Sequence, residues 1–355
     1  MGDVVSLDPT ADRRWDRFVA AHEFGWLCHL SGWKTVLERS CPHMRGHYLV
    51  LQDGNGADIK AALPCFEVRS WLKGTRLVSI PFATLCDPLV SSGSQFEQLF
   101  ASAMDLRKQL NLSYIQIRTH KSSSLMPDRK LSTCGFYKQH YLMLTSDPEQ
   151  LWKRFHRTCV RQRISRAIKS GLTLRVAQGE SDLQDFYRLY AMTRGRLGLP
   201  PQPYVFFKSL WDVFHESGYV SVLLALQGGS AIAALLLFRF KDRVSAEHMA
   251  CDPGSRSVSP NHFLFWEAIK AASQEGFKVF DFGRTSCSNH RLMDFKSRWA
   301  TEVRDLPDWY YPSEASTKVA EPEKSLLYRL TRTACRNLPT SATLRIGNFC
   351  YKHLG

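Results

Sequence analysis

The chain has 355 residues, which is enough for about two domains at roughly 100–200 residues per domain. Hydrophobic residues make up 44% and aromatic residues 12% of it, so a disordered chain is excluded and a globular protein is indicated. Lysine and arginine outnumber aspartate and glutamate by 47 to 33, a net charge of +14, so we expect an anionic partner such as phosphate, nucleic acid or an acidic membrane.

The first half of the chain carries strand patterns joined by turns, then a helix and a further strand. Alternating apolar residues indicate the strands, and glycine-rich or Pro-containing stretches indicate the turns. The predicted elements, in chain order, are strands at residues 47–51, 59–68 and 76–80, a hairpin turn at 52–56, a loop at 86–88, a helix at 96–110 and a strand at 114–119.

The second half carries the same kinds of pattern in the same order. Its predicted elements are strands at residues 219–226, 231–240 and 244–249, a turn at 227–230, a loop at 251–253, a helix at 262–275 and a strand at 279–285. Cys-Asp-Pro at Cys86 recurs at Cys251, 165 residues later, and Arg118-Thr119 recurs as Arg284-Thr285, 166 residues later. We infer an internal duplication of one α/β unit with a mixed sheet.

A basic segment joins the two halves. Residues 151–175 hold eight lysines and arginines and no acid, while Ile164, Ile168 and Leu172 recur at helical spacing. The pattern predicts a basic amphipathic helix over 151–171 that leads into a strand at 172–176. A solvated helix face is one interpretation, and anion binding by Arg161, Arg163 and Arg166 is the other, because surfaces normally mix charges of both signs.

The last part of the chain is again basic and amphipathic. We therefore predict an N-terminal domain over residues 1–145, a C-terminal domain over 146–312 and a basic tail over 313–355. The tail forms either a helix packed on the second domain or one that lies on an acidic membrane surface. The longest apolar stretch, residues 231–238, is too short to span a membrane. The cysteines match no zinc or disulfide pattern, so we expect no metal and a cytoplasmic protein, with attachment to the inner membrane as the alternative.

The stretch from residue 259 to 300 is the richest in chemical signals. Ser259-Pro260-Asn261 opens the predicted helix, residues 280–285 read F-D-F-G-R-T, and residues 289–299 read N-x-x-L-x-x-F-K-x-x-W. This series resembles the FemAB-related, GNAT-like acyltransferases, which include CelD/BcsL-type proteins of cellulose and exopolysaccharide clusters. Residues 163–167 resemble the R-x-x-I-R-K-A segment of that family, and the resemblance covers residues 32–312.

The resemblance implies two GNAT-like domains that transfer an acyl or aminoacyl group to an amine or a hydroxyl. It implies a role for the F-K lysine, here Lys296, which can neutralise a carbonyl oxyanion. Asp281 either orients or deprotonates the acceptor or makes a structural hydrogen bond. Arg284 either binds an anion or pairs with Asp281, and Asn261 either caps a helix or contacts substrate. Trp299 in the same motif and His248, which like Glu247 lies on the strand before it, complete the candidate binding residues.

The donor and the acceptor stay open at this stage. Residues 252–258 do not fit the Q/R-x-x-G-x-G/A loop with which GNAT enzymes bind coenzyme A, so the donor is either acyl-CoA or aminoacyl-tRNA. The expected acceptor is an anionic cell-envelope or exopolysaccharide precursor. His290-Arg291 and Ala300 stand where relatives often have glycine, which stiffens the segment. They motivate an alternative, a non-catalytic RNA- or membrane-binding protein on a degenerate GNAT scaffold.

Overall fold

The computed structural model describes residues 3–54, 56–70, 74–126, 131–316, 326–351 and 353. Its strands are β1 (Val4–Leu7), β2 (Arg45–Gln52), β3 (Ile59–Ser70), β4 (Gly74–Ser79), β5 (Tyr114–Arg118), β6 (Ser132–Met143), β7 (Thr173–Val176), β8 (Val220–Gln227), β9 (Ser230–Phe240), β10 (Arg243–Cys251), β11 (Val279–Ser286) and β12 (Glu302–Tyr311).

The helices are α1 (Arg14–Ala21), α2 (Ser31–Ser40), α3 (Gly93–Gln109), α4 (Pro148–Arg154), α5 (Gln162–Lys169), α6 (Glu180–Leu197), α7 (Tyr204–Phe214), α8 (Pro260–Gln274), α9 (His290–Ser297), α10 (Leu326–Asn337) and α11 (Thr340–Cys350). Short 3₁₀ helices and one π-helix, Arg157–Arg161, connect some of them. Within the described part of the chain, no helix combines the length and the apolar composition needed to cross a membrane.

The first compact unit is formed by the described residues of Met1–Tyr137, Asp305–Ser325 and Phe349–Gly355. Its sheet has the order β1-β2-β3-β4-β5-β12, antiparallel except for the parallel pair β4–β5. Helix α3 packs on this sheet through Phe96 and Phe100, whose stacked rings belong to the core. The helix begins at Ser92, whose hydroxyl accepts a hydrogen bond from the Gln95 amide.

The second compact unit is formed by Lys138–Arg304 and Leu326–Asn348. Its strand order is β6-β11-β10-β9-β8-β7, and β10–β11 is its parallel pair. Helices α6 and α8 both contact the central strands. Strand β9 is buried along nearly its whole length, which explains its continuous apolar sequence.

Both boundaries of the predicted C-terminal domain, residues 146 and 312, differ from the division seen in the structure. The chain passes from the first unit to the second within β6, at residue 137 rather than 145. Residues 305–312 belong to the first unit because Asp308–Tyr311 of β12 pair with β5. Of the predicted tail, residues 317–325, 352, 354 and 355 lie outside the described residues. The described remainder forms helices α10 and α11, and α10 packs on α6.

The predicted continuous helix over 151–171 is wrong. The helix breaks at Phe155 and His156, whose ψ angles of 146° and 126° are extended. The Phe155 side chain is buried against Trp299, with ring centroids 5.2 Å apart. The His156 ring accepts a hydrogen bond from the Cys159 amide and so begins the next helical segment. Burial of one aromatic ring therefore outweighs helical continuity here.

Candidate functional site

The parallel strands β10 and β11 pair over only a short stretch. Pairing ends at Ser245 and Asp281, although β10 continues to Cys251 and β11 to Ser286. On its other side β10 stays paired with β9, and a bulge there makes Glu247 the extra residue. Beyond Ser245, therefore, the main chain of β10 does not pair with β11. The titratable side chains described below lie close to the point where this pairing ends.

Asp281 is completely buried and its carboxylate is fully used by neighbours. Oδ2 accepts hydrogen bonds from Arg243 Nη1 at 3.0 Å and from Gln139 Nε2, and Oδ1 accepts one from the Gly283 amide at 2.8 Å. Asp281 forms an ion pair with Arg243, a partner that was not predicted from the sequence. The Asp281 carboxylate therefore accepts three hydrogen bonds and has no exposed surface.

Lys296 is buried, with only 5% of its surface exposed. It lies in the last turn of α9, which begins where the Asn289 side chain accepts a hydrogen bond from the Leu292 amide. Its Nζ donates to the main-chain oxygens of Gly283 at 2.8 Å and Arg284 at 3.3 Å. Burial lowers the pKa of Lys296 to about 8, although Asp281 and Glu247 act in the opposite direction.

Glu247 is half-buried, and its charge acts on this lysine. Its Oε1 accepts a hydrogen bond from Ser245 Oγ at 2.6 Å. Burial raises the pKa of Glu247 to about 7; the Ser245 hydroxyl, Arg284 and Lys296 lower it, whereas Asp281 raises it. A carboxyl group and an amine with pKa values on either side of neutrality can exchange protons with a substrate at physiological pH.

Strands β6 and β11, which carry residues of this site, also hold three buried polar atoms that have no hydrogen-bond partner in the described part of the chain. They are Gln139 Oε1, His140 Nε2 and Thr285 Oγ1, on side chains at most 2% exposed. Burial and the charge of Lys296 lower the pKa of His140 to about 4, so its ring is neutral at pH 7. Local sequence patterns carry no sign of Gln139, His140 or Arg243, because the strands that bring them here are distant from one another in the chain.

Of the other predicted site residues, one is exposed and two have buried side-chain atoms. Arg284 is exposed, and its charge acts on Glu247. Asn261 is not the helix cap: Ser259 holds that position, and the Asn261 Oδ1 is buried without a hydrogen-bond partner. Trp299 is completely buried in the core, where its ring stacks with that of His262 at a centroid distance of 5.8 Å. Its side chain therefore exposes no surface to a substrate.

His248 lies next to Glu247 but faces other neighbours. Its ring contacts Tyr190 at 5.2 Å and Phe207 at 5.4 Å, on helices α6 and α7. Burial, with the nearby charge of Arg194, lowers its pKa to about 3, so His248 stays neutral. This histidine packs against the helices on that side of the sheet.

The basic segment presents its charges to solvent. Arg163 and Arg166 of α5 are exposed, while Ile164 and Ala167 of the same helix are buried in the core. Arg161 is half-buried at the end of the π-helix, and its Nε has no hydrogen-bond partner. Among the residues the structure describes, no group of three or more His, Cys, Asp or Glu side chains could hold a metal ion.

Comparison with known proteins finds a match over the segment that contains the site. Residues 154–297 match the model of the family described as an acetyltransferase (GNAT) domain. That segment includes Lys296, Glu247 and Asp281. No curated protein sequence matches the chain.

Solved structures share the whole fold. FemX is similar over 93% of this chain and 100% of its own, with 15% identity and a TM-score of 0.70. The C-terminal domain (DUF2156) of an Agrobacterium fabrum protein assigned as a lysylphosphatidylglycerol synthetase covers 90% of this chain and 94% of its own, at 14% identity and a TM-score of 0.55.

A tandem GNAT protein from the clavulanic acid biosynthesis pathway covers 87% of this chain and 98% of its own, with 12% identity and a TM-score of 0.55. These similarities confirm the predicted α/β fold with two GNAT-like units. They are also consistent with the FemAB-related, GNAT-like resemblance found in the sequence.

Proposed function

We propose that this protein transfers an acyl or aminoacyl group to an amine or hydroxyl of an anionic cell-envelope or exopolysaccharide precursor, because residues 154–297 match a GNAT-type acetyltransferase domain. The donor is an acyl-CoA or an aminoacyl-tRNA. The similarity to FemX and to the protein assigned as a lysylphosphatidylglycerol synthetase supports an envelope substrate.

The observation that carries the proposal is the pair formed by Lys296 and Glu247. Glu247 lies on β10 beyond the point where β10 and β11 cease to pair, and Lys296 Nζ binds carbonyl oxygens of β11 beyond the same point. The charge of each group acts on the other, and their pKa values of about 8 and about 7 leave an ammonium and a carboxylate in this site near neutral pH. Two of the three N–H donors of Lys296 bind the main chain, and the third is available to a substrate oxygen.

The reaction follows from these two groups. As the acceptor nitrogen or oxygen attacks the carbonyl carbon of the donor, Glu247 accepts the proton that it loses, and a C–N or C–O bond forms. The negative charge on the carbonyl oxygen is stabilised by the ammonium of Lys296. The C–S bond to coenzyme A or the C–O bond to tRNA then breaks, and the leaving atom takes the proton from Glu247.

Asp281 is assigned to positioning in this scheme. Its buried negative charge favours the charged form of Lys296, and its bond to the Gly283 amide fixes the turn whose carbonyl oxygen binds the lysine. Gly283 has a φ of +72°, which suits glycine there. Asp281 thus acts through Lys296 and not on the substrate.

Phosphate recognition is assigned to the exposed arginines. Arg163, Arg166 and Arg284 present guanidinium groups to solvent, and both donor classes and the expected acceptor carry phosphate. Arg161, at the start of the same helical segment, is half-buried and keeps one N–H without a partner. These four residues are the proposed anion contacts.

The test begins with the donor. Calorimetric titration with acetyl-CoA, with desulfo-CoA as the control, and then with aminoacyl-tRNA identifies which donor binds. With that donor, replacing Lys296 by Met is expected to lower the transfer rate by about 100-fold or more. Lys278→Met, at an exposed lysine just before β11, is the matched control. A Lys296→Met protein that folds and transfers at the normal rate would contradict the proposal.

A second candidate function rests on the exposed cationic face of α5. A non-catalytic protein would use Arg163 and Arg166 to bind RNA or acidic lipid and would bind neither donor class specifically. Salt-dependent binding of RNA of any sequence, together with no transfer and no saturable acyl-CoA binding, would favour that function over the first.

A further inference from the structure

A pocket lies in the second unit, away from Lys296 in the chain and built from different helices. Its volume is about 570 Å³. Helix α6 supplies one face of residues at helical spacing, α7 supplies its first residue, and α11 supplies the opposite wall. The lining residues are Gln184, Tyr187, Arg188, Ala191, Met192, Tyr204, Thr340 and Leu344.

The lining favours an apolar ligand. The Tyr187 hydroxyl donates to the Gln202 carbonyl oxygen at 3.0 Å, and the Tyr204 hydroxyl donates to Glu180. Both phenols are therefore satisfied by the protein, and their rings, 5.0 Å apart, offer carbon surface. A hydrocarbon chain gains from burial in such a pocket without leaving a polar group unpaired.

The tail helices pack closely against the rest of the second unit, and α11 forms one wall of the pocket. A Cβ placed on Gly347 of α11 would lie 2.1 Å from the Pro201 carbonyl oxygen, and one placed on Gly198 would lie 2.5 Å from the Arg332 side chain. Glycine at both positions lets α10 and α11 approach the end of α6. The pocket thus exists because the tail is docked.

The same two helices carry positive charge. Arg332, Arg336 and Arg345 are exposed, and residues 326–351 contain no aspartate or glutamate. Arg188, which lines the pocket, also pairs with Asp185. The acidic residues nearby, Asp185 and Glu180, are paired with Arg188 and Lys208. An apolar pocket with one wall on a helix that carries arginine and no acid matches a molecule with a hydrocarbon chain and an anionic head.

We propose that this pocket binds the hydrocarbon chain of an anionic lipid, with its head group attracted by the arginines of α10 and α11. The proposal concerns binding alone, so it stands whether or not the transfer reaction does. If both hold, the pocket is a place where a lipid-linked acceptor is retained.

The test uses lysophosphatidylglycerol with a palmitoyl chain, below its micellar concentration, titrated calorimetrically into the full-length protein. Lysophosphatidylcholine with the same chain tests the role of charge, and glycerol phosphate tests the head group alone. We expect saturable binding of the anionic probe, at least about tenfold weaker binding of the zwitterionic one, and no binding of glycerol phosphate.

Filling the pocket should abolish binding. Thr340→Trp on α11 and Met192→Trp on α6 each place an indole in the cavity, from opposite walls. Because Met192→Trp leaves the tail sequence unchanged, loss of binding in both variants is explained by filling of the cavity and not by a change in the tail. Ser341→Trp, at the exposed neighbour that does not line the pocket, is the control. No binding of the anionic probe, or unchanged binding in both pocket variants, overturns the proposal, and equal affinity for the two lipids overturns the role of the arginines.

Discussion

At the scale of single residues, the site depends on two groups whose pKa values are shifted in opposite directions by burial. Lys296 loses affinity for its proton and Glu247 gains it, so their pKa values approach each other from about 10.5 and about 4.5. Each also supports the charge of the other. The two protons therefore belong to a coupled pair, and a pH profile reports the pair.

We expect kcat/KM to follow a bell-shaped pH profile. Activity rises as Glu247 loses its proton, with a pKa of about 7, and falls as Lys296 loses its proton, with a pKa of about 8. Replacing Glu247 by Gln should lower kcat/KM by roughly 100-fold or more and remove the acidic limb. Initial rates with the donor that binds, measured across pH, check this. An acidic limb that persists in the Glu247→Gln protein would show that another group is the base.

The backbone conformation of Ala300 gives a second prediction for a single residue. Its φ of +56° is in the left-handed region, where alanine is strained by about 1–2 kcal/mol and glycine is not. Replacing Ala300 by Gly should stabilise the protein by about 0.5 kcal/mol once the greater flexibility of unfolded glycine is subtracted. Urea unfolding measures this, and Ala271→Gly within α8 is the control, expected to destabilise. A loss of stability in Ala300→Gly would show that the strain is absent.

The candidate residues show what local sequence can predict. Asp281 and Lys296 come from two successive motifs, F-D-F-G-R-T and N-x-x-L-x-x-F-K-x-x-W, and the strand at 279–285 was predicted, whereas helix α9 was not. The partners Arg243 and Gln139 lie 38 and 142 residues from Asp281, so only the folded sheet brings them to it. Trp299 belongs to the same motif as Lys296, but a motif cannot tell a core tryptophan from one that contacts a substrate.

At the scale of elements, the strands of the hairpins and the strands β5 and β11, which follow helices, were predictable, and three other strands were not. The hairpins β2–β3 and β8–β9 lie where alternating apolar residues and turns indicate them. Strands β1, β6 and β12 were missed because long connections separate them from the strands with which they pair. The break before α5 was missed because it depends on the burial of Phe155, and helical periodicity on either side carries no sign of it.

Helix α5 should control the salt dependence of donor binding. Replacing Arg163 and Arg166 by Gln removes two exposed charges and should reduce the slope of log Kd against log salt by about 0.7–0.9 for each phosphate that the variant no longer neutralises. KM should rise while kcat stays unchanged, since these arginines hold the substrate before and during reaction alike. Titrations of the donor at several salt concentrations check this. Lys60→Gln, at an exposed lysine of the first unit, is the control; an unchanged slope in the α5 variant would remove this helix from the site.

At the scale of the whole molecule, the duplication is visible as two parallel pairs of the same kind. In the first unit β4 and β5 pair from Arg76 with Tyr114 to Val78 with Gln116, and β10 and β11 repeat this short register. The two Cys-Asp-Pro loops, however, have different uses. Asp87 is buried, whereas Asp252 caps a short 3₁₀ helix near the surface.

Asp87 should be a structural residue only. Its Oδ1 accepts four hydrogen bonds: the main-chain amides of His120, Lys121 and Ser122 and the Ser122 hydroxyl. Replacing Asp87 by Ala leaves these donors without their acceptor and should destabilise the protein by about 3 kcal/mol or more. The transfer rate of the folded fraction should stay within about twofold.

Equilibrium unfolding and rates normalised to the folded fraction measure these two effects. The repeat supplies the matched control: Asp252→Ala removes only the cap of an exposed 3₁₀ turn and should cost about 1 kcal/mol. Equal losses of stability in the two variants would show that the repeated loops have kept the same role.

The path of the chain through the sheets has a consequence for how the protein is made. Strand β12 pairs with β5 of the first unit, yet it is translated only after every strand of the second unit. A nascent chain that has emerged from the ribosome up to residue 137 therefore exposes one edge of β5, because Asp308 and Trp309, the partners of Gln116 and Thr119, have not yet been made. The half that is synthesised first is completed last, so a fragment that ends at residue 137 cannot be expressed as an independent module with the sheet of the first unit intact.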